Sequence, residues 1–403
     1  MKRRAFIAAP AFIGPALAAR HSIAEIERML ARGDVKGKLT RDDLPTPALC
    51  VDLDAFEANV TKMVAHAKSK GRALRPHAKT HKCSEIGRRL IRAGAVGACA
   101  AKLAEAEVLA DAGVTGILIT GAPVGPTRIE RAVRLARKHP DTIFSVDSAS
   151  NVDELNAAAR AAKLRINVAI DLYVGRRTGI LSGGPALGLA QQIDKLPALK
   201  LHGIQAYAGH CAHIKGFAER KKGSTEQMAE AISTRRMLEQ AGIACNWLSG
   251  GSTGTYNIDC DLDGLTELQP GSFMFMDIDY NRIGGQDGEV YRDFQNSLTV
   301  LTSVISIPKD ENPVVDGGLK AFSTDKPFVP EAKGLSGISY RWGGDEHGVL
   351  TLAADAPRLK LNDRVEFLVP HCDPSVNLYD RLFACRGQQL EAVWAIDARG
   401  RGY

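Results

Sequence analysis

The sequence lacks the features typical of zinc fingers, disulfide-stabilised scaffolds and nucleic-acid-binding proteins. Its eight cysteines contain no CxxC pair, which argues against a zinc finger, and they are too sparse in 403 residues for a disulfide scaffold. The formal charge of +6 is small and evenly spread, so nucleic-acid binding is not expected. With 45% hydrophobic and 24% charged residues, the chain is typical of a folded protein of about two domains.

The first nineteen residues differ from the rest of the chain. The basic residues 2–4 (Lys-Arg-Arg) precede an apolar run over 5–19, and residues 16–18 offer a small-x-small cleavage site. This pattern predicts a signal peptide of the twin-arginine type over residues 1–19 and a periplasmic protein exported in folded form. A basic tail on a cytoplasmic protein is the alternative. The run is too short for a membrane-spanning helix of about 20 residues, and no other segment is apolar enough, so no membrane partner is expected for the mature chain.

Strands and helices alternate along most of the chain. Eight strand-like segments, most of them followed by a helical pattern, are predicted at 72–79, 95–100, 116–120, 142–146, 165–170, 201–206, 244–248 and 265–269. Alternating βα units indicate a parallel sheet, and eight of them fit a closed (β/α)8 barrel, predicted here over residues 53–285. A doubly wound open sheet is the alternative. No GxGxxG motif follows the first strand, which argues against a dinucleotide-binding fold.

The pattern changes near residue 290. Short β-branched segments at 297–307, 313–316, 349–352 and 365–369 are separated by glycine, proline and aspartate. They predict a second, mainly β domain, made of residues 20–52 together with 286–403. The predicted fold class is therefore α/β, a barrel followed by a β-rich domain.

Basic residues mark the end of the first predicted strand. Arg75, His77 and Lys79 alternate there, so in an extended strand they share one face. Three basic side chains are poorly explained by the packing of a barrel interior. Because barrel enzymes carry their chemistry at the carboxyl ends of the strands, this face is a candidate site.

The loop after the seventh strand is rich in glycine, serine and threonine. Residues 249–255 read Ser-Gly-Gly-Ser-Thr-Gly-Thr, and phosphate sites in such barrels lie in the loops after strands seven and eight. A lysine at the rim and a phosphate cradle opposite it are what pyridoxal phosphate requires. A phosphorylated sugar or a lysine-dependent aldolase would fit the same two features.

A wider set of motifs resembles one family. The segments that carry the resemblance are Arg75-Pro76-His77-Ala78-Lys79-Thr80-His81-Lys82, Tyr207-Ala208-Gly209-His210, Gly250-Gly251-Ser252-Thr253-Gly254, Gln269-Pro270-Gly271 and His371-Cys372-Asp373. In order, over about residues 44–385, they resemble the D-threonine aldolases. These belong with eukaryotic-type D-serine dehydratases among the pyridoxal phosphate enzymes of fold type III, built on the alanine racemase scaffold. The resemblance implies a barrel with a β domain, a head-to-tail homodimer and an active site between the two subunits.

The resemblance also implies a role for individual residues. Lys79 matches the lysine that holds the cofactor covalently, and His210 matches the base that acts on the β-hydroxyl group of the substrate. The other cofactor-binding residues are Arg177 and Tyr207 at the ring and Gly251, Ser252, Thr253 and Gly254 at the phosphate. His371 and Asp373 match the ligands of a divalent cation, for which Mn²⁺ or Mg²⁺ is favoured and Zn²⁺ is possible.

The implied activity is a metal-dependent lyase. It cleaves D-threonine and other small D-β-hydroxy-α-amino acids to glycine and an aldehyde. The nearest rival is a D-serine or D-threo-3-hydroxyaspartate dehydratase, and a non-catalytic pyridoxal phosphate-binding protein is a further alternative. The related dehydratases place a cysteine where Asp373 stands, which favours aldol cleavage.

The predicted metal ligands follow a strand-like segment. If the strand pattern of 364–370 continues, His371 and Asp373 face the same way and Cys372 faces away. The alternative is that His371 ends the strand and Asp373 caps the turn at Pro374.

Overall fold

The computed structural model describes residues 21–308 and 312–403. The predicted signal peptide over 1–19 lies outside these residues. No helix in the described chain is long and apolar enough to cross a membrane. The chain forms two compact units. One comprises the described residues up to Glu57 with 275–279 and most of 295–395, and the other comprises 58–274, 280–294 and 396–403.

The structure begins with a helix and a strand of the first unit. Helix α1 covers Ile23–Arg32, and strand β1 covers Ala48–Asp52. The start of α1 is held by a capping box, in which Ser22 and Glu25 bond to each other's backbone N–H groups.

The second unit contains a parallel β-barrel. Its eight strands are β2 (Ala73–Leu74), β3 (Ala98–Ala100), β4 (Ile117–Ile119), β5 (Ile143–Val146), β6 (Ile166–Asp171), β7 (Leu199–Ala206), β8 (Leu248–Gly250) and β9 (Glu267–Leu268). They pair in the order β2-β9-β8-β7-β6-β5-β4-β3. A parallel bridge between His77 and Cys99 joins the two ends of this sheet. The (β/α)8 barrel is confirmed, and each predicted strand overlaps an observed one.

Helix α2 precedes the first strand of the barrel, and the other helices of this part of the chain come after barrel strands. They are α2 (Leu53–Ser69), α3 (Ser84–Ala93), α4 (Leu103–Asp111), α5 (Pro126–Lys138), α6 (Ala149–Ala161), α7 (Gly184–Asp194), α8 (Phe217–Gln240), α9 (Tyr256–Asp259) and α10 (Ile278–Asn281). Individual residues determine where some of these helices begin and end. Helix α5 starts with Pro126, whose missing N–H costs nothing at that position, and α3 stops at Gly94 with φ of 114°.

A polar network occupies part of the barrel interior. Arg75 binds both carboxylate oxygens of Glu267, at 2.8 and 2.9 Å. Ser249 also donates to Glu267, at 2.7 Å, and Gln269 donates to Ser249 at 2.8 Å. Removing one partner of such a buried ion pair typically costs about 3–5 kcal/mol. Arg75 therefore has a structural explanation, contrary to the expectation that its whole face forms a functional site.

The first unit is built around a mixed sheet. Its later strands are β10 (Leu298–Ser306), β11 (Val314–Val315), β12 (Glu331–Ala332), β13 (Ile338–Trp342), β14 (Gly348–Leu352), β15 (Arg364–Leu368), β16 (Arg381–Arg386) and β17 (Gln389–Ala395), with helix α11 (Cys372–Val376) between β15 and β16. The order is β13-β14-β11-β10-β1-β16-β17, with β15 paired to β10 and β12. Strand β1 runs antiparallel to β10 and parallel to β16. The mainly β character is confirmed, although β12, β13, β16 and β17 were not predicted.

Candidate active site

A cavity of about 280 Å³ opens at the carboxyl ends of the barrel strands. It is lined by His77, Lys79, Ala101, Lys102, Thr120, Gly121, Asp171, Leu172, Gly175, Arg177, Thr178, Gln205, Tyr207 and Gln269. The structure thus brings three of the predicted cofactor residues, Lys79, Arg177 and Tyr207, to one cavity. His210 and the 251–254 loop lie outside this lining.

Lys79 lies on a short turn rather than on a strand. The chain leaves the barrel wall at Ala78 and forms a 3-10 turn over Ala78–Thr80. The imidazole of His77 caps this turn by accepting the N–H of Lys79 through Nδ1, at 3.3 Å. The strand alternation that was expected to align Lys79 with Arg75 therefore ends before Lys79, and the turn directs the half-buried lysine to the cavity.

Arg177 lies on a loop that follows β6. The bridge between Leu172 and Ile180 closes this loop at its base. The guanidinium carbon of Arg177 is 5.4 Å from the centre of the Tyr207 ring, within the range of a cation–π contact. Arg177 and Tyr207 therefore form one face of the cavity.

Two carboxylates hold the far side of the Arg177 loop. The hydroxyl of Thr178 donates to Asp171 at 2.8 Å, and the N–H of Gly179 donates to Asp147 at 3.2 Å. Burial, with a smaller contribution from the neighbouring Asp147, raises the pKa of Asp171 to about 7 against the opposing effects of Thr178 and Arg177. Asp171 therefore carries only part of a negative charge at neutral pH.

The loop after β8 presents backbone donors. Its carbonyl groups are occupied, because Tyr291 donates its hydroxyl to Thr253 at 2.6 Å and Arg220 donates to Gly254 at 2.7 Å. The N–H groups of Thr253 and Gly254 make no hydrogen bond to any described residue. Buried N–H groups without partners on one loop suit an anion such as a phosphate.

The other predicted members of this loop have structural partners. Both the N–H and the hydroxyl of Ser252 contact the Thr255 hydroxyl oxygen, at 3.1 and 3.0 Å. Thr255 donates to Asp259, a carboxyl group whose burial raises its pKa to about 6. Thr253 and Gly254, rather than Ser252, therefore carry the free donors.

The glycines of the loop are required by the packing of the protein itself. Gly251 has φ of 75°, and a Cβ there would lie 2.8 Å from a methyl group of Leu268. A Cβ on Gly254 would lie 2.1 Å from the carbonyl oxygen of Ala212. The structure therefore requires glycine at both positions even without a ligand, since side chains there would clash with the protein itself.

One segment contacts both the Lys79 turn and this loop. Gly271 packs against Thr80, so closely that an added Cβ would lie 2.5 Å from its hydroxyl oxygen. Two residues later, the N–H of Phe273 donates to the hydroxyl oxygen of Thr253 at 3.0 Å. The Lys79 turn and the candidate phosphate loop are therefore held by the same stretch of chain.

His210 lies on the 3-10 turn Gly209–His213 after β7. Burial lowers its pKa, and the nearby Arg176 and Arg177 lower it further, so its imidazole is neutral near pH 7. Its Nδ1 is buried and has no partner in the described chain. The same turn carries His213, which was not predicted as a site residue and whose ring centre is 4.6 Å from that of Tyr280.

The predicted metal ligands belong to the first unit. The expectation that strand geometry continues through them is wrong, because β15 ends at Leu368 and helix α11 begins at Cys372. Asp373 thus lies in the first turn of a helix. His371 pairs through Nδ1 with Asp325 at 2.6 Å, a contact that the sequence did not indicate. Among residues 21–308 and 312–403, no cluster of three or more His, Cys, Asp or Glu side chains is arranged to hold a metal ion.

This donor set fits a metal ion only in part. Asp325 contacts one imidazole nitrogen of His371, and a carboxylate in that position commonly orients the other nitrogen of a metal-ligating histidine. His371 and Asp373 would supply two protein ligands, and the remaining positions would fall to water or substrate oxygens.

Further cavity residues were not predicted as site residues. They are Lys102, Thr120, Asp171, Gln205 and Gln269. Each one stands at or just after the end of a barrel strand. Their position at strand ends could have predicted them as site residues, since all the strand ends of a barrel contribute to the lining of its mouth.

Two family profiles match the chain. The alanine racemase N-terminal domain matches residues 51–279, more than half of the sequence. A putative serine dehydratase domain matches residues 297–385.

Individual relatives agree with these profiles and confirm the resemblance. A 3-hydroxy-D-aspartate aldolase of Paracoccus denitrificans (strain Pd 1222) is 36% identical over 91% of this chain and 95% of its own. A D-threonine aldolase of Arthrobacter sp is 37% identical over 88% of this chain and 93% of its own. The crystal structure of D-threonine aldolase from Filomicrobium marinum has a TM-score of 0.87 at 34% identity, covering 92% of this chain and 99% of that one. The chain therefore belongs to the alanine racemase N-terminal domain family, in the group that includes D-threonine aldolase and 3-hydroxy-D-aspartate aldolase.

Proposed function

We propose that this protein is a pyridoxal phosphate-dependent lyase that cleaves D-threonine and other D-β-hydroxy-α-amino acids to glycine and an aldehyde. The observation that carries the proposal is the cavity in which Lys79 meets Arg177 and Tyr207. Relatives named as aldolases of such amino acids, over nine-tenths of the chain, support the same reading.

The residues present suit the cofactor. The amine of Lys79 would hold its aldehyde carbon, and the free N–H groups of Thr253 and Gly254 would bind its phosphate. Tyr207 would lie along the ring. When bound, pyridoxal phosphate supplies an electron sink for the pair released as the Cα–Cβ bond breaks.

Two other residues have roles in this proposal. The exposed guanidinium of Arg177 lies over the ring of Tyr207 and would face the cofactor ring, as the resemblance implies. His210 takes the proton of the β-hydroxyl group, a step that requires a neutral imidazole. Its lowered pKa keeps it in that form near pH 7.

The product from D-threonine tests the proposal directly. Purified holoenzyme should release glycine and acetaldehyde in equal amounts, because aldol cleavage divides the carbon chain. A dehydratase would instead release 2-oxobutyrate and ammonia. Quantifying the four products by chromatography separates the two activities, and 2-oxobutyrate as the main product would show that the proposed lyase reaction is wrong.

The covalent anchor is testable by labelling. Borohydride reduction of the holoenzyme followed by peptide mapping should place the cofactor on Lys79, because its turn presents the amine to the cavity. Lys79→Ala should abolish turnover and leave the circular dichroism spectrum unchanged. Lys102 is the matched control, since it lines the same cavity, and a label found there would refute the assignment.

The base is testable through the pH profile. Wild-type activity should fall as the pH drops through the lowered pKa of His210, because a protonated imidazole cannot accept the hydroxyl proton. His210→Ala should reduce kcat about 100-fold or more and remove this acidic limb. His213→Ala, on the same turn, should keep the limb. The reverse pattern in the two variants would assign the base to His213 instead.

The metal requirement is proposed from the resemblance and the His371–Asp325 pair. Chelator should remove activity with D-threonine, and added Mn²⁺ should restore it. Asp373→Ala should not be rescued by Mn²⁺, whereas Asp355→Ala, an exposed control, should behave as wild type. Full activity of the wild-type protein in excess chelator would contradict the requirement.

A further inference from the structure

Residues 396–403 belong to the second unit and contact the start of α3. Asp397 accepts the N–H of Ser84 through Oδ1 at 2.9 Å. Within the described chain, the residue that precedes α3 makes no side-chain capping hydrogen bond, so Asp397 supplies an acceptor that this helix end requires. One residue later, the N–H of Ala398 donates to the carbonyl oxygen of Lys82 at 3.0 Å.

Tyr403 contacts the next two helices. Its carbonyl oxygen accepts the N–H of Ala104 at 3.1 Å, in the first turn of α4. The centre of its ring lies 5.2 Å from the guanidinium carbon of Arg131 on α5, within the range of a cation–π contact. Arg131 is itself paired with Glu107 of α4 at 2.6 Å. The 396–403 segment therefore contacts three consecutive helices, each of which follows a barrel strand.

Two of the contacted residues lie beside the cavity lining. Lys82 follows the lining residue Lys79 in the same connection, and Ala104 follows the lining residue Lys102. The N–H of Lys82 also donates to Ala78 at 2.7 Å, at the start of the Lys79 turn. Because Lys79 lies on a 3-10 turn rather than on a strand, ladder hydrogen bonds do not fix it. Contacts beside the turn therefore decide how firmly its amine is placed.

Lys82 connects the two parts of the lining. Its φ is 47°, in the left-handed region that residues other than glycine rarely adopt, so surrounding contacts must hold this conformation. Its ammonium group pairs with the buried Glu105 at 2.5 Å. The same carboxylate accepts the N–H groups of Ala101 and Lys102, at 3.1 and 3.2 Å. The hydrogen bond from Ala398 to the Lys82 carbonyl therefore acts on a residue that reaches both parts of the lining.

We propose that the 396–403 segment positions the amine of Lys79 for the cofactor, with Asp397 and Tyr403 as the positioning residues. The inference rests on the proposed function, in which Lys79 holds the cofactor covalently. Neither Asp397 nor Tyr403 lines the cavity, so each acts through the helix start that it contacts. A turn that is held in advance loses less conformational freedom when the covalent bond forms.

Two ligands distinguish positioning of the amine from a general effect on stability. Pyridoxal phosphate bonds to the lysine, whose nitrogen joins the aldehyde carbon while the aldehyde oxygen leaves as water. Pyridoxamine phosphate has the same ring and phosphate but no aldehyde, so it cannot form this bond. A segment that only stabilised the fold would affect the binding of both ligands alike.

The role of Asp397 is tested on the full-length chain freed of cofactor. Asp397→Ala should weaken binding of pyridoxal phosphate about threefold, the size expected for one lost hydrogen bond, and leave binding of pyridoxamine phosphate unchanged. Asp397→Asn keeps an acceptor oxygen and should restore the affinity. Asp355→Ala, which removes another exposed carboxylate, should bind both ligands as wild type does. Spectroscopic titration measures each dissociation constant.

Tyr403 gives an independent variant. Deleting this residue removes the contacts with α4 and α5, and it should cause the same selective loss of affinity for pyridoxal phosphate. Tyr403→Phe keeps the ring and the backbone carbonyl, so it should bind both ligands with wild-type affinity.

Hydrogen exchange provides a readout that needs no cofactor. In Asp397→Ala, the backbone amides of residues 78–84 should exchange about threefold faster, because the N–H of Ser84 loses its acceptor. Amides of the 249–255 loop should keep their wild-type rates, and mass spectrometry of the corresponding peptides measures both segments.

The outcomes separate the two proposals. An equal loss of affinity for both ligands, no loss for either, or wild-type exchange over residues 78–84 in Asp397→Ala would overturn the positioning role and leave the lyase reaction standing. A cofactor bound covalently to a lysine other than Lys79 in the wild-type protein would contradict the proposed function itself.

Discussion

The buried ion pair between Arg75 and Glu267 is the constraint on which the barrel depends. Arg75 follows the first barrel strand and Glu267 opens the last, so their bidentate contact joins the two strands side by side. Arg75 also donates to the carbonyl of Gly116, just before β4. Ser249 and Gln269 extend the network from Glu267 to the cavity wall. The Lys79 turn begins three residues after Arg75, so its position depends on this closure.

Charge compensation separates structural groups from functional ones. Glu267 is matched by Arg75, and Glu105 is matched by Lys82. The fully buried guanidinium of Arg220 is satisfied by four backbone carbonyl groups, those of Gly254, Ile214, Ile283 and Gly284. In each case, a buried charged group is paired or hydrogen-bonded within the protein itself. The lining of the cavity carries the cations Lys79, Lys102 and Arg177 beside the carboxyl group of Asp171. In the proposed function, these cations favour an anionic cofactor and substrate.

Part of the site could be predicted from local pattern. Lys79, Arg177 and Tyr207 follow barrel strands, and parallel strands in one barrel bring their carboxyl ends to one mouth. Strand periodicity gave wrong positions for residues that lie beyond the end of a strand. At Ala78 and again at Cys372 the chain leaves the ladder for a 3-10 turn and a helix. Side-chain alternation holds only while ladder hydrogen bonds continue, so it could not place Lys79 or Asp373.

Strands that were not predicted include some that pair with segments far away in the sequence. Strands β16 and β17 form a hairpin in which Arg381 pairs with Ala395, while β16 also pairs with β1 more than 300 residues earlier. Their sequences mix charged, small and apolar residues without clear alternation. Burial by partners far along the chain, rather than intrinsic preference, makes them strands.

By itself, the sequence determined the order of the βα units, the β character of the first unit and the lysine at the first strand end. These follow from hydrophobic periodicity and turn residues, which act over a few neighbouring positions. Only the tertiary structure decided that Arg75 is structural, that Thr253 and Gly254 keep the free donors, and that Lys102 lines the cavity. Each of these depends on which charges and hydrogen-bonding groups meet across the fold, and such partners are set by packing between segments distant in sequence.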